Sequence, residues 1–211
     1  MMAVLALLGA MSAAIASGAN AGAVATQADV NDIVRRTKAL YDATTSAEVS
    51  FEQSGAQGSS SGTLQFTSGN RYRLEFPKQT IVSNGTTVWT YTPQRRQVIV
   101  SKAGARRGGL TPSEILTSFP GSYRPTIVGE RTIDRRAVWV VRCDAGAEKI
   151  GDVTRATLYI DKATYRFSRI ELVSPSMGSV TLNVTRARYN VTIPATRFEF
   201  TPPAGTRVIK L

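Results

Sequence analysis

The chain has no histidine and only one cysteine among its 211 residues. Without imidazole there can be no Ser-His-Asp triad, no Cys-His dyad and no histidine general base. The same shortage leaves zinc without its usual nitrogen and sulfur donors. Cys143 has no partner for an internal disulfide. Its alternation with Trp139 and Val141 reads as a packed strand thiol rather than a nucleophile. Acidic residues are sparse, 15 against 26 Lys and Arg. Asp134, Asp144, Asp152 and Asp161 fall near expected turns, where Asp is common for conformational reasons. No Walker loop or paired-glycine phosphate cradle is present. The chain is therefore read as a non-enzyme that calls for no cofactor and no metal. Its formal charge of +11 comes from basic residues in ones and twos, such as Arg35-Arg36 and Arg106-Arg107. No run reaches the length of a nucleic-acid arm, so a solvated basic surface or an electrostatic docking surface is expected instead.

Long apolar runs are also rare, and the one that stands out is at the start. Residues 1–21 carry no charged side chain, and the run Met1 to Ile15 is short for a membrane span. Ala19-Asn20-Ala21 is the first suitable small-x-small site, so 1–21 reads as a signal peptide, with a buried N-terminal helix or a retained membrane anchor as the alternatives. No cysteine follows directly to accept a lipid anchor. Residues 22–211 then read as one exported domain, expected to be a monomer.

What the chain has in abundance is alternation. Between Gly62 and Tyr91, Leu64, Phe66, Tyr72, Leu74, Phe76 and Val88 recur at strand spacing, with Trp89 and Tyr91 following. Asn84-Gly85 reads as a type I′ hairpin turn, with both residues at positive φ. About ten to twelve short strands can be marked by such signals, ending with Arg197 to Phe200. Residues 27–45 form an amphipathic pattern through Val30, Ile33, Val34, Thr37, Leu40 and Tyr41. A short second helix is expected over 112–119, with Thr111 as cap, Pro112 at the first turn and Pro120 as stop. The fold class is thus mainly β (α+β), an antiparallel meander. Two helices are few for a sheet this large, which favours an apolar gap.

Several motifs stand in a consistent order: Arg71-Tyr72-Arg73, Val82-Ser83-Asn84-Gly85 through Trp89 and Tyr91, Ile160-Asp161 through Thr164, and Phe198-Glu199-Phe200-Thr201-Pro202-Pro203. Together they resemble the LolA family of periplasmic lipoprotein carriers. The resemblance implies an incomplete, strongly curved antiparallel β-barrel with helices covering the open side, and a periplasmic carrier of lipoprotein acyl chains moving from inner to outer membrane. The implied cavity residues are Leu64, Phe66, Tyr72, Leu74, Phe76, Trp89 and Tyr91, with Ile115, Leu116 and Phe119 on a lid helix. Implied partners are an inner-membrane lipoprotein-releasing ABC transporter and an outer-membrane lipoprotein acceptor. One departure matters. The family's Lys-Arg-Pro turn, whose Arg bonds to the lid, is here Thr67-Ser68-Gly69, and Ser68 carries no charge; Arg71 and Arg73 are the candidates to replace it. Two alternatives stay open, a carrier or sensor of another amphiphile (glycolipid or phospholipid) and a regulator or scaffold that binds a protein partner.

Overall fold

A computed structural model describes residues 27–56, 58–104, 123–146, 149 and 151–211. The expected signal peptide and the expected lid helix, with Ile115, Leu116 and Phe119, lie outside the described residues.

Among the described residues, helix α1 (Gln27–Asp42) is followed by twelve strands: β1 (Ser46–Gly55), β2 (Gly58–Thr67), β3 (Arg71–Phe76), β4 (Gln79–Asn84), β5 (Thr87–Thr92), β6 (Gln97–Lys102), β7 (Tyr123–Ile133), β8 (Arg136–Ala145), β9 (Arg155–Asp161), β10 (Phe167–Ser174), β11 (Gly178–Tyr189) and β12 (Arg207–Lys210). They form one sheet in the order β12-β6-β5-β4-β3-β2-β1-β11-β10-β9-β8-β7. The sheet is curved and open, with β7 and β12 as its edges, so the barrel is not closed. Two meanders, β1–β6 and β7–β11, join where β1 pairs with β11.

Three local readings change. The Asn84-Gly85 hairpin exists, but its two turn residues are Gly85 and Thr86. Only Gly85 has positive φ (97°), the pattern of a type II′ turn. Asn84 stays in the strand, and its Oδ1 accepts from the Thr86 and Thr87 backbone N–H groups at 3.1 and 2.9 Å. That side-chain turn competes with the backbone conformation a type I′ turn would need. The region expected as the last strand, Arg197 to Phe200, is instead a 3-10 turn (Ala195–Phe198) followed by extended chain. Here Phe198 is buried as a plug, 1% exposed. The sheet ends with β12, and this strand runs parallel to β6, an exception to the expected antiparallel meander.

The apolar stripe of α1 explains its position. Val30, Ile33, Val34 and Tyr41 are buried against Val141, Cys143, Ala156, Leu158, Ile160, Ile170 and Leu172 of β8–β10. Tyr41 stacks on Phe167 with ring centroids 4.8 Å apart, and its hydroxyl oxygen accepts the Phe167 N–H at 2.9 Å. The helix thus seals one side of the β7–β11 half of the sheet.

Candidate functional site

Pairing register shows which side chains share the α1 side of the sheet. Tyr41 meets Tyr189 edge-on, so Tyr189 points toward the helix. From Tyr189 a row runs across neighbouring strands through Ala47, Phe66, Tyr72, Ser83, Val88 and Ser101. A second row contains Val49, Leu64, Leu74, Ile81, Thr90 and Ile99. Phe51 and Phe76 meet edge to face at 5.7 Å, above Gly62. Five of the predicted residues, Leu64, Phe66, Tyr72, Leu74 and Phe76, are therefore brought together on this helix face. Sequence reading had not placed Val49, Phe51, Ile81 and Ile99 with them. Their strand parity gives that signal once register is known.

Burial divides this face in two. Under α1, Val141, Leu158 and Ile160 are sealed at 0% exposure. Across β2–β6, Leu64, Tyr72, Leu74, Phe76, Ile81, Val88 and Ile99 are only half-buried, while Phe66, Ser83, Thr90 and Ser101 between them are buried. An aliphatic and aromatic surface several strands wide can take up apolar chains but offers little to a polar reaction.

Trp89 and Tyr91 are not part of this face. They pair with Val82, Val100 and Val98, one position out of phase with Val88, and so occupy the back of the sheet. The reason is a second cover. Residues 191–206 cross the back face, where Phe198 is buried near β3 and β4 and Phe200 lies 5.6 Å from Tyr91. Val82 and Val98 beneath this segment are at 0% exposure. Arg71 and Arg73 share the back-face parity. The Arg73 Nε donates to Glu75 at 2.6 Å. Ser68 is an exposed turn residue whose N–H donates to the Thr45 carbonyl at 2.9 Å, while its own carbonyl accepts from Arg71 at 3.4 Å. The structure places the two arginines away from the apolar rows.

The back face also holds a half-open groove of about 290 Å³, where the polar side chains Glu48, Thr63, Gln65, Glu75, Arg186, Arg188 and Arg197 gather beside Val49 and Leu64. Gln65 links it, donating to Glu48 at 2.8 Å and accepting from Arg197 at 2.9 Å. The Gln65 hydrogen bond, with Arg188 beside it, lowers the Glu48 pKa. Burial raises that of Glu75, but the Arg73 hydrogen bond and charge outweigh it and the net shift is downward. Acids and bases here largely satisfy one another. Cys143 is the opposite case: burial, with the nearby Asp144 charge, pushes its thiol up to about 12. It is a core thiol and not an activated nucleophile.

Residues 42–201 match the family described as outer membrane lipoprotein carrier protein LolA. The chain belongs to the LolA family. It is 30% identical over 159 residues to an outer-membrane lipoprotein carrier protein of Methylibium petroleiphilum, covering 72% of this chain and 73% of that one. It is 27% identical over 194 residues to a carrier protein of the same description from Dechloromonas aromatica, covering 90% and 89%. Among solved structures, an uncharacterized conserved protein from Thermus thermophilus superposes with a TM-score of 0.59 at 15% identity, covering 85% of this chain and 98% of that one. The LolA-like turn around Asp161 has a clear structural role. The buried Asp161 Oδ1 accepts the Ala163 and Thr164 N–H groups, each at 2.9 Å, which fixes the β9–β10 connection. The LolA-like C-terminal ending supplies the back cover through Phe198 and Phe200. Among the described residues no helix is long and apolar enough to cross a membrane.

Proposed function

We propose that this protein is a periplasmic acyl-chain carrier that takes lipoprotein lipids onto the helix face of β2–β6 and shields them between the inner and outer membranes. The observation that carries the reading is the contrast between the apolar core sealed beneath α1 and the seven half-buried aliphatic and aromatic side chains, Leu64 to Ile99, beside it on the same face. Each CH₂ withdrawn from water is worth about 0.8 kcal/mol, so one long chain supplies on the order of ten before ordering costs. Binding without chemistry is consistent with the absence of histidine and the inert thiol. An inner-membrane lipoprotein-releasing ABC transporter and an outer-membrane acceptor are the partners proposed from family membership. A single domain over 22–211, freed from its signal peptide, is the proposed mature form.

The test is equilibrium binding of a fluorescent acyl probe to the purified mature protein. One saturable site is expected. Leu74→Glu should weaken binding at least tenfold, because it places a charge amid the helix-face rows. Tyr91→Ala should retain binding while lowering stability, because Tyr91 belongs to the back cover. A well-folded protein with no saturable acyl binding would remove the carrier reading and favour a protein-binding scaffold.

A further inference from the structure

At the β11 end of the apolar face lies a cation that the acyl-carrier reading does not use. The Arg166 guanidinium stands 3.3 Å from the centroid of the Tyr189 ring and 5.7 Å from that of Tyr41. Its Nη1 is buried and, among the described residues, has no hydrogen-bond partner. Among the described residues no carboxylate forms an ion pair with it. The two rings attract the charge through their faces, and Tyr41 lies in the last turn of α1, where the helix dipole is negative. Neither feature gives the buried N–H group an acceptor. A buried donor left in that state is costly, and more so when it is charged.

The position is also held firmly. The Tyr165 N–H donates to the Asp161 carbonyl at 2.8 Å, and the Asp161 N–H donates to the Arg166 carbonyl at 2.9 Å. Tyr165 adopts positive φ (56°), which sends the chain back toward the sheet. Burial raises the Tyr41 hydroxyl pKa well above its usual value, with Tyr189 adding to the effect. Tyr41 is therefore neutral and supplies no counter-charge. Tyr189 opens the row that continues through Ala47 to Phe66, two strand spacings or about 10 Å away. Ala47, the smallest side chain in that row, separates the cation from the aromatic part of the apolar face.

We infer that Arg166 is a binding residue for the acidic head of an acyl ligand, a carboxylate or a phosphate, whose chain lies along the Phe66–Tyr72 row. This rests on the acyl-chain part of the carrier reading and extends the cargo from the neutral, ester- and amide-linked acyl chains of lipoproteins to amphiphiles with an anionic oxygen near the chain. A guanidinium donates to such oxygens in a planar fork, and the ligand would supply the acceptor that Nη1 lacks.

The test compares four ligands of one chain length by calorimetry at alkaline pH: hexadecanoate, hexadecyl phosphate, hexadecanol and methyl hexadecanoate. The wild type should bind at least one of the two anions about tenfold or more tightly than the neutral pair. Arg166→Gln should remove that preference and leave neutral binding unchanged, while Arg166→Lys should keep part of it. The stronger of the two anions identifies carboxylate or phosphate as the head. Equal binding of all four by the wild type overturns the role of Arg166 and leaves the carrier intact. Absence of binding to any ligand overturns the carrier reading itself. If Arg166→Gln does not fold, the wild-type ligand series and Arg166→Lys still decide the question. An anion preference that the folded Gln variant retains refutes the inference.

Discussion

Gly62 offers a sharp test of the aromatic floor of the helix face. A Cβ at this position would lie 2.6 Å from Cζ and 2.9 Å from Cε2 of Phe51, and 3.1 Å from Cε1 of Phe76. Ordinary contact begins near 3.4 Å, so the Phe51 ring would have to retreat by about 0.8 Å. It has little room, being 8% exposed and set edge-on against Phe76. Two effects of Gly62→Ala oppose each other. Alanine in a strand gains roughly 0.5–1 kcal/mol over glycine through backbone entropy. Overpacking a filled site costs roughly 1–3 kcal/mol. The clash should win, for a net loss of about 0.5–2 kcal/mol and a fall in Tm of about 2–6 °C. Urea unfolding should show a lower midpoint at unchanged slope. In a Phe51→Leu background, which lacks the clashing ring atoms, the same Gly62→Ala change should be neutral or stabilising, a coupling of about 1 kcal/mol or more. If Gly62→Ala raises the midpoint in the wild-type background, the two rings do not close over Gly62 and the described floor is wrong.

Two further outcomes are expected. Gly85→Ala should cost more than Gly62→Ala, about 2–4 kcal/mol by urea unfolding, because its positive φ and a contact of 2.5 Å to the Gly69 carbonyl oxygen both oppose a Cβ; a loss below about 0.5 kcal/mol would refute the packed hairpin tips. Cys143, with its pKa raised by burial to about 12, should react with a thiol reagent at pH 8 only as fast as the protein opens, and at full rate in denaturant; rapid reaction of the native protein would show that the core beneath α1 is not sealed.

The sequence was most legible where one phase of alternation is polar. In β2 and β3, Leu64, Phe66, Tyr72 and Leu74 alternate with Thr63, Gln65, Arg71 and Arg73, and the helix face could be read directly. In β4–β6 both phases are apolar, as in Ile81-Val82, Val88-Trp89 and Val98-Ile99-Val100. Such runs indicate strands covered on both sides, but they do not say which residue faces which cover. The deciding cover, Phe198 and Phe200, comes about a hundred residues later, and its capture by the back face depends on tertiary packing alone. The hairpin at Asn84-Gly85 was legible as a turn, whereas its centre depended on a competition between the Asn84 side chain and the backbone. The edge strand β12 is four residues long, with Val208 and Lys210 exposed, and gives almost no periodic signal. Arg166 has no distinguishing signal in the sequence, because its setting between Tyr41 and Tyr189 joins three distant parts of the chain.

The junction of β1 with β11 also constrains the order in which the sheet can assemble. Ala47 pairs with Tyr189, so the first strand lacks one neighbour until nearly the whole chain is available. The β1–β6 meander can form from local hairpins on the microsecond scale, but closing the junction requires a loop of over a hundred residues and should be the slow step. In the interval, one edge of β1 and the apolar side of β2–β6 are both open to other chains. Refolding yield should therefore fall with protein concentration, and a holding chaperone would act in the time between the early hairpins and the late closure.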